Sequence, residues 1–195
     1  MSVNTKFALG LSICWILFFC IPAETPFEIA ALGQHNMYRD KHNCPPLLLD
    51  DALTQDSRVY AEELAQKEQL EHSSGDYGEN LCMTSGDPLK CVRMWYDEIK
   101  DYNFDEGKFS LETGHFTQLI WMSSKWLGIG KAKSKSGAMY VVGRYSPAGN
   151  VEGQFIENVP KLKNSSTSYS KSFSSKYFIL FSWTFSALLL WILKF

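Results

Sequence analysis

Hydrophobic positions follow a helical period in the first two thirds of the chain and an alternating one after Trp126. Between Phe27 and Lys41, Phe27, Ala30, Ala31, Met37 and Tyr38 fall on a period of 3.6, with His35, Arg39 and His42 along a neighbouring face. Cys44-Pro45-Pro46 ends this helix, since the residue before a proline is pushed out of the α region. His42 is predicted at the surface or at the helix end. Asp50 or Asp51 then caps a second helix, whose Leu53, Val59, Tyr60, Leu64 and Leu70 predict a wide apolar stripe. That helix releases the chain at His72-Ser73-Ser74-Gly75. After a short extended segment at Gly78-Glu79-Asn80-Leu81, Pro88 opens a third helix to about Lys100 that buries Val92, Trp95, Tyr96 and Ile99. Thr113-Gly114 starts a fourth, shorter helix through Trp121. Strands follow at Leu127 to Ala132 and Met139 to Tyr145, around a polar turn at Lys133 to Gly137, with a last extended piece at Gln154 to Val159. Helices first and a hairpin afterwards predict an α+β fold in packed layers.

The two ends read differently. Lys6 precedes an apolar run from Phe7 to Ile21, too short to cross about 30 Å of hydrocarbon and followed by Ala23, so residues 1–23 are expected to be a cleaved secretory signal, with a retained anchor as the alternative. Tyr177 to Leu193 is apolar and aromatic, and only Lys194 and Phe195 follow it. The Ser-rich spacer over 161–176 and the small residues Asn164-Ser165-Ser166 precede that run, which is the order of a glycosylphosphatidylinositol attachment signal. Lys171, Lys176 and Lys194 keep a single transmembrane span open as the alternative. Asn164 also begins an N-glycosylation sequon. Both ends place the protein in the secretory pathway, either secreted or held at the extracellular face of the plasma membrane through the C-terminal tail.

What remains, residues 24–160, is one domain's worth of chain and enough to hold its own core. A formal net charge of −2 with no basic stripe gives no electrostatic footprint for nucleic acid. Cys14 and Cys20 lie in the signal, which leaves Cys44, Cys82 and Cys91 in an oxidising compartment and allows one intrachain disulfide at most. Cys82 and Cys91 flank the turn-forming Thr84-Ser85-Gly86-Asp87-Pro88, so the favoured pairing joins these two and leaves Cys44 free or buried. The sequence does not fix this choice.

Four strings carry more than periodicity: His35-Asn36-Met37-Tyr38-Arg39, Gly78-Glu79-Asn80-Leu81, Gly114-His115-Phe116-Thr117-Gln118-Leu119-Ile120-Trp121, and Val141-Val142-Gly143-Arg144-Tyr145-Ser146-Pro147-Ala148-Gly149-Asn150-Val151. In this order they resemble the signature boxes of the CAP family, the cysteine-rich secretory, antigen 5 and pathogenesis-related class 1 proteins. The run from Trp95 to Phe104 resembles that of the small, extension-free members, and the likeness covers Pro26 to about Pro160. It implies a three-layer α-β-α sandwich. The family commonly has a cysteine where Gly143 stands, so a disulfide usual in its secreted branches is expected to be missing.

The resemblance also implies a shared cleft for His72, Glu79, Glu98 and His115. Two imidazoles and two carboxylates suit zinc or another divalent cation, with His72 and His115 as ligands and Glu79 and Glu98 supporting them. The same carboxylates are the candidates for acid-base catalysis in a metal-dependent hydrolase. Spacing alone demands neither, since there is no His-x-x-x-His pair and no Cys-x-x-Cys. His35, Asn36, Tyr38 and Arg39 are expected to lock the first helix to the sheet by hydrogen bonds, while Tyr145, Pro147, Gly149 and Asn150 form a turn of architectural value. Trp95, Tyr96, Tyr102, Phe104, Phe109, Phe116, Trp121 and Trp126 are more aromatic surface than a small core hides, although at least half are expected inside. Together with the family's known sterol and lipid binding, this points to a non-catalytic binding module whose partner is a lipid, a sterol or an extracellular protein.

Overall fold

The computed structural model describes residues 26–163. The folded domain belongs to the compact unit that ends at Leu162. The expected signal, the spacer from Asn164 onward, the apolar C-terminal run, and with them Asn164 and Ser165, lie outside the described residues.

Helix α1 spans Pro26–Lys41, strand β1 Leu48–Leu49, α2 Asp51–Lys67, β2 Gly78–Thr84, α3 Lys90–Asp97, α4 Gly114–Ile120, β3 Trp126–Lys133, β4 Met139–Ser146 and α5 Phe155–Asn158. One sheet has the order β1-β3-β4-β2, with β1 parallel to β3 and the other pairs antiparallel. Side chains alternate across it. Leu127, Ile129, Val141 and Tyr145 join a core with α1, α3 and α4, whereas Tyr140, Val142 and Leu81 meet Ala61, Leu64 and Ala65 of α2 on the other face. Helices on both faces of one sheet make the three-layer α-β-α sandwich.

Asp50 caps α2, its Oδ1 accepting from the Leu53 N–H at 2.8 Å. The stripe expected on this helix is corrected in part. Val59 is 45% exposed and Leu70 49%, and of the expected stripe Leu64 faces the sheet, joined there by Thr54, Ser57, Ala61 and Ala65. The cause is on β3, where Gly128 and Gly130 let the helix backbone come close. A Cβ on Gly130 would stand 2.4 Å from the Arg58 nitrogen, and one on Gly128 2.3 Å from the Leu53 carbonyl carbon. Small side chains on α2 fit a sheet that offers it no side chains there.

Three further expectations change. The segment expected to be extended at Gln154 to Val159 is the short helix α5, whose N–H groups at Asn158 and Val159 bond back to the Gln154 and Phe155 carbonyls. Among the described residues it pairs with no strand, and a local turn satisfies its backbone while Phe155 is buried. The third helix is α-helical only to Asp97 and tightens into a 3₁₀ turn over Glu98–Lys100. His42 is fully buried rather than at the surface, its Nδ1 2.7 Å from the Pro160 carbonyl and its Nε2 3.1 Å from the Tyr96 hydroxyl. Asn43, left-handed at φ 56°, ends α1 and turns the chain there.

The disulfide joins Cys82 to Cys91. Cys44 is a buried free thiol whose Sγ donates to the Ile120 carbonyl at 3.0 Å, and burial pushes it up to about 11 despite the opposing charge of Arg39.

Candidate functional site

His72 stands in the loop over 68–77, which is neither helix nor strand and runs from α2 into β2. Its Nδ1 lies 2.9 Å from Glu79 Oε1 on β2. The same oxygen accepts from the Ser73 N–H at 3.0 Å, while Oε2 accepts from Ser73 Oγ at 2.6 Å and Arg144 Nε at 3.1 Å. Four donors therefore saturate the carboxylate. Burial pushes Glu79 up, but the hydrogen bonds from His72, Ser73 and Arg144 outweigh it and hold the group at about 2. The bond to Glu79 raises His72, partly offset by burial.

His115 opens α4. Its Nδ1 is 2.6 Å from Glu98 Oε1, and Glu98 Oε2 accepts from the His115 and Phe116 N–H groups, both at 3.0 Å. Glu98 thus holds the ring and caps the helix at once, because the first N–H groups of a helix have no internal partner. The 3₁₀ turn after α3 is what aims it there.

Each imidazole donates Nδ1–H to its carboxylate, which leaves Nε2 as the nitrogen turned away from that partner. A carboxylate that fixes the tautomer in this way is the arrangement that makes an imidazole a good metal ligand. The four residues come together as two imidazole–carboxylate pairs. His72, Glu79 and His115 line one hollow of about 110 Å³ with Asn80, Phe109 and Leu111, and Glu98 lines an adjoining groove with His115. Among the described residues no three His, Cys, Asp or Glu side chains are grouped to hold a metal ion.

The adjoining groove has a volume of about 260 Å³ and is apolar: Leu70, Leu81, Met83, Met94 and Trp95 line it beside Glu98 and His115. Of the aromatic residues named from sequence, Trp95, Tyr96, Tyr102, Phe116 and Trp121 are buried, while Phe109 and Trp126 stay exposed. Loop residue Leu111, 82% exposed, lies at the hollow beside Phe109.

The remaining signature residues are structural. His35 donates Nδ1–H to the Ala31 carbonyl at 2.7 Å and accepts at Nε2 from the Tyr145 hydroxyl at 2.8 Å, a contact between α1 and β4. Asn36 and Arg39 do something else. Asn36 bonds both backbone groups of Leu47, and Arg39 donates to the carbonyls of Pro45, Leu119, Trp121 and Ser124, tying α1 to the end of α4. Tyr38 stacks on Tyr96 at 3.9 Å between centroids. Pro147 follows a cis peptide bond, Asn150 is left-handed at φ 57°, and Gly149 packs against Gln118 and Trp121 where a Cβ would not fit. Two contributors were missed: Ser73 and Arg144. Ser73 is adjacent to His72, and Arg144 stands two residues after Val142 on a strand, so alternation alone put it on the α2 side of the sheet without saying what it meets.

Residues 32–145 match the profile of the Cysteine-rich secretory protein family, CAP. This chain belongs to the CAP family. It is 44% identical over 145 residues to the human Golgi-associated plant pathogenesis-related protein 1, covering 70% of this chain and 94% of that protein. It is 34% identical over 134 residues to Secreted protein RBT4 of Candida albicans, covering 67% of this chain and 37% of that protein. The fold agrees with the crystal structure of NaASP2 with Zn2+ at a TM-score of 0.52 and 21% identity, over 69% of this chain and 84% of that one.

Proposed function

We propose that this CAP protein is exported, tethered to the outer leaflet, and acts as a binding module whose two imidazoles take a divalent cation and whose adjoining groove takes the apolar part of a lipid or sterol. The observation that carries the reading is the pairing of each imidazole with a carboxylate through Nδ1 beside an apolar groove that includes His115. His72 and His115 would hold the ion through Nε2, with Glu79 and Glu98 orienting them. A bound ion would supply a Lewis acid there. With two imidazoles and no thiolate, the donor set fits zinc weakly and reversibly. The NaASP2 structure with Zn2+ supports zinc as the ion, and the secreted relative supports export.

Binding is favoured over turnover because a general base needs a free lone pair within reach of substrate. The Glu79 oxygens accept four donors, which leaves that carboxylate no free lone pair, whereas Glu98 accepts three and is the one carboxylate of the cleft with an acceptor site left.

Zinc affinity measured by competition with a chelating dye is expected to fall at least tenfold on His115→Ala. Uptake of a fluorescent sterol is expected to survive that change and to be lost on Met83→Glu with Met94→Glu, which place charge on an apolar wall. Sterol uptake unaffected by the double substitution would refute the groove. Zinc-dependent hydrolysis abolished by His115→Ala would replace the binding reading with an enzymatic one.

A further inference from the structure

We infer that Arg144 is the positioning residue for the His72 half of the cleft, fixing Glu79 and through it the imidazole in the orientation that leaves Nε2 free. This deepens the metal-binding reading and rests on it. The two halves are held by different means. His115 hangs from a carboxylate bonded to the first turn of α4, so regular structure sets that ring. His72 belongs to an irregular loop, and its side chain is 63% exposed. Packing does not hold it.

A hub beneath the loop does. Strand register pairs Arg144 on β4 with Glu79 on β2, on the α2 side of the sheet. Arg144, 2% exposed, donates Nε to Glu79, Nη2 to Ser73 Oγ at 2.9 Å, and Nη1 to Asp56 on α2. Its guanidinium lies over the Tyr77 ring at 4.3 Å and the Tyr60 ring at 4.9 Å. Both tyrosines hold the same loop, Tyr60 donating to the Glu71 carbonyl at 2.6 Å and Tyr77 to the Ser74 carbonyl at 3.3 Å. Residues 71, 73 and 74 on both sides of His72 are therefore secured through groups that meet at one planar cation. The chemistry requires arginine, because three nitrogens serve three partners in a plane while the faces meet aromatic rings. Glu79 is also 5% exposed, and a buried carboxylate is tolerated only with a compensating charge. Remove Arg144, and Glu79 is expected to swing toward water, taking the Nδ1 acceptor of His72 with it.

The test uses the full-length protein, native and with Arg144→Met, Arg144→Lys or Ser73→Ala. Imidazole nitrogen NMR on the metal-free protein reads the tautomer of each ring, and dye competition reads zinc affinity. Arg144→Met is expected to erase the Nδ1–H preference of His72, leave that of His115, and weaken zinc at least tenfold. Arg144→Lys restores charge without the planar fork and is expected to recover the loss only in part. Ser73→Ala removes the hydroxyl between Arg144 and Glu79 and is expected to act in the same direction, less strongly. Loss of the His115 signal would mean that Arg144→Met had unfolded, and Ser73→Ala then decides. A native His72 tautomer with native zinc affinity in the folded variants would overturn the inference. Should the native protein bind no zinc, the metal reading fails while the tautomer measurement still decides the role of Arg144.

Discussion

His35 has no exposed surface, and burial, with a smaller contribution from the Arg39 charge, lowers it to about 4 against the raising effect of its bond to the Ala31 carbonyl. It is neutral in the folded protein, which its hydrogen bonds require: Nδ1–H donates to a carbonyl and Nε2 accepts from Tyr145, whose oxygen in turn accepts from Asn80. In the unfolded chain the ring ionises near 6.5. Above that value both states hold the same number of protons. As pH falls from about 6.5 toward 4 the unfolded state binds a proton the folded one refuses, and stability drops by about 1.4 kcal/mol per pH unit for this one group. Buried His42, lowered chiefly by burial, acts in the same direction. Denaturant titrations across this window are expected to show the fall, and His35→Gln is expected to flatten it while lowering stability throughout. The four cleft residues were named only through the family resemblance, since spacing by itself demanded neither a metal nor a base. That the Glu79 carboxylate is saturated was not legible, since Arg144 reaches it through the strand pairing of β2 with β4 and Ser73 through the fold of the loop before β2.

At the scale of elements, the contact between α2 and β3 is set by what is missing from β3. Gly130→Ala drives a Cβ onto the Arg58 backbone nitrogen, which no rotamer change relieves. A loss of about 1–3 kcal/mol is expected, seen as a lower denaturant midpoint with an unchanged slope. The disulfide is a second device of this scale. It ties the core strand β2 to α3, and Cys91 precedes Val92 and Trp95, which fill the core. Replacing Cys82 and Cys91 by serine is expected to cost about 2–3 kcal/mol by the loop-entropy rule, measurable by chemical unfolding of the two forms. Most elements were legible because their periods are long: α1, α2, α3 and the β3–β4 hairpin fall where the pattern predicts. Short ones were not. Two-residue β1 is too brief to carry a period, and α5 shows one turn whose state depends on Phe155 finding a buried place beside Trp121.

For the molecule as a whole, no helix among the described residues is long and apolar enough to cross a membrane, so the proposed tether rests on the C-terminal run alone. Treatment of expressing cells with a phosphatidylinositol-specific phospholipase is expected to release the protein into the medium, and retention would favour a protein span. The sequence by itself determined the family, the layered α+β class and most of the extended and helical periods, because each is written in residue type and spacing along one dimension. It also favoured the right cysteine pair, since a turn-forming segment of nine residues' separation brings those two ends together. Only tertiary structure decided which helix face meets the sheet, that His42 turns inward, and that the four cleft residues form two separate pairs rather than one cage. Those outcomes depend on backbone approach at glycines, on a left-handed residue ending a helix, and on cross-strand register, all of which are distances between parts of the chain far apart in sequence.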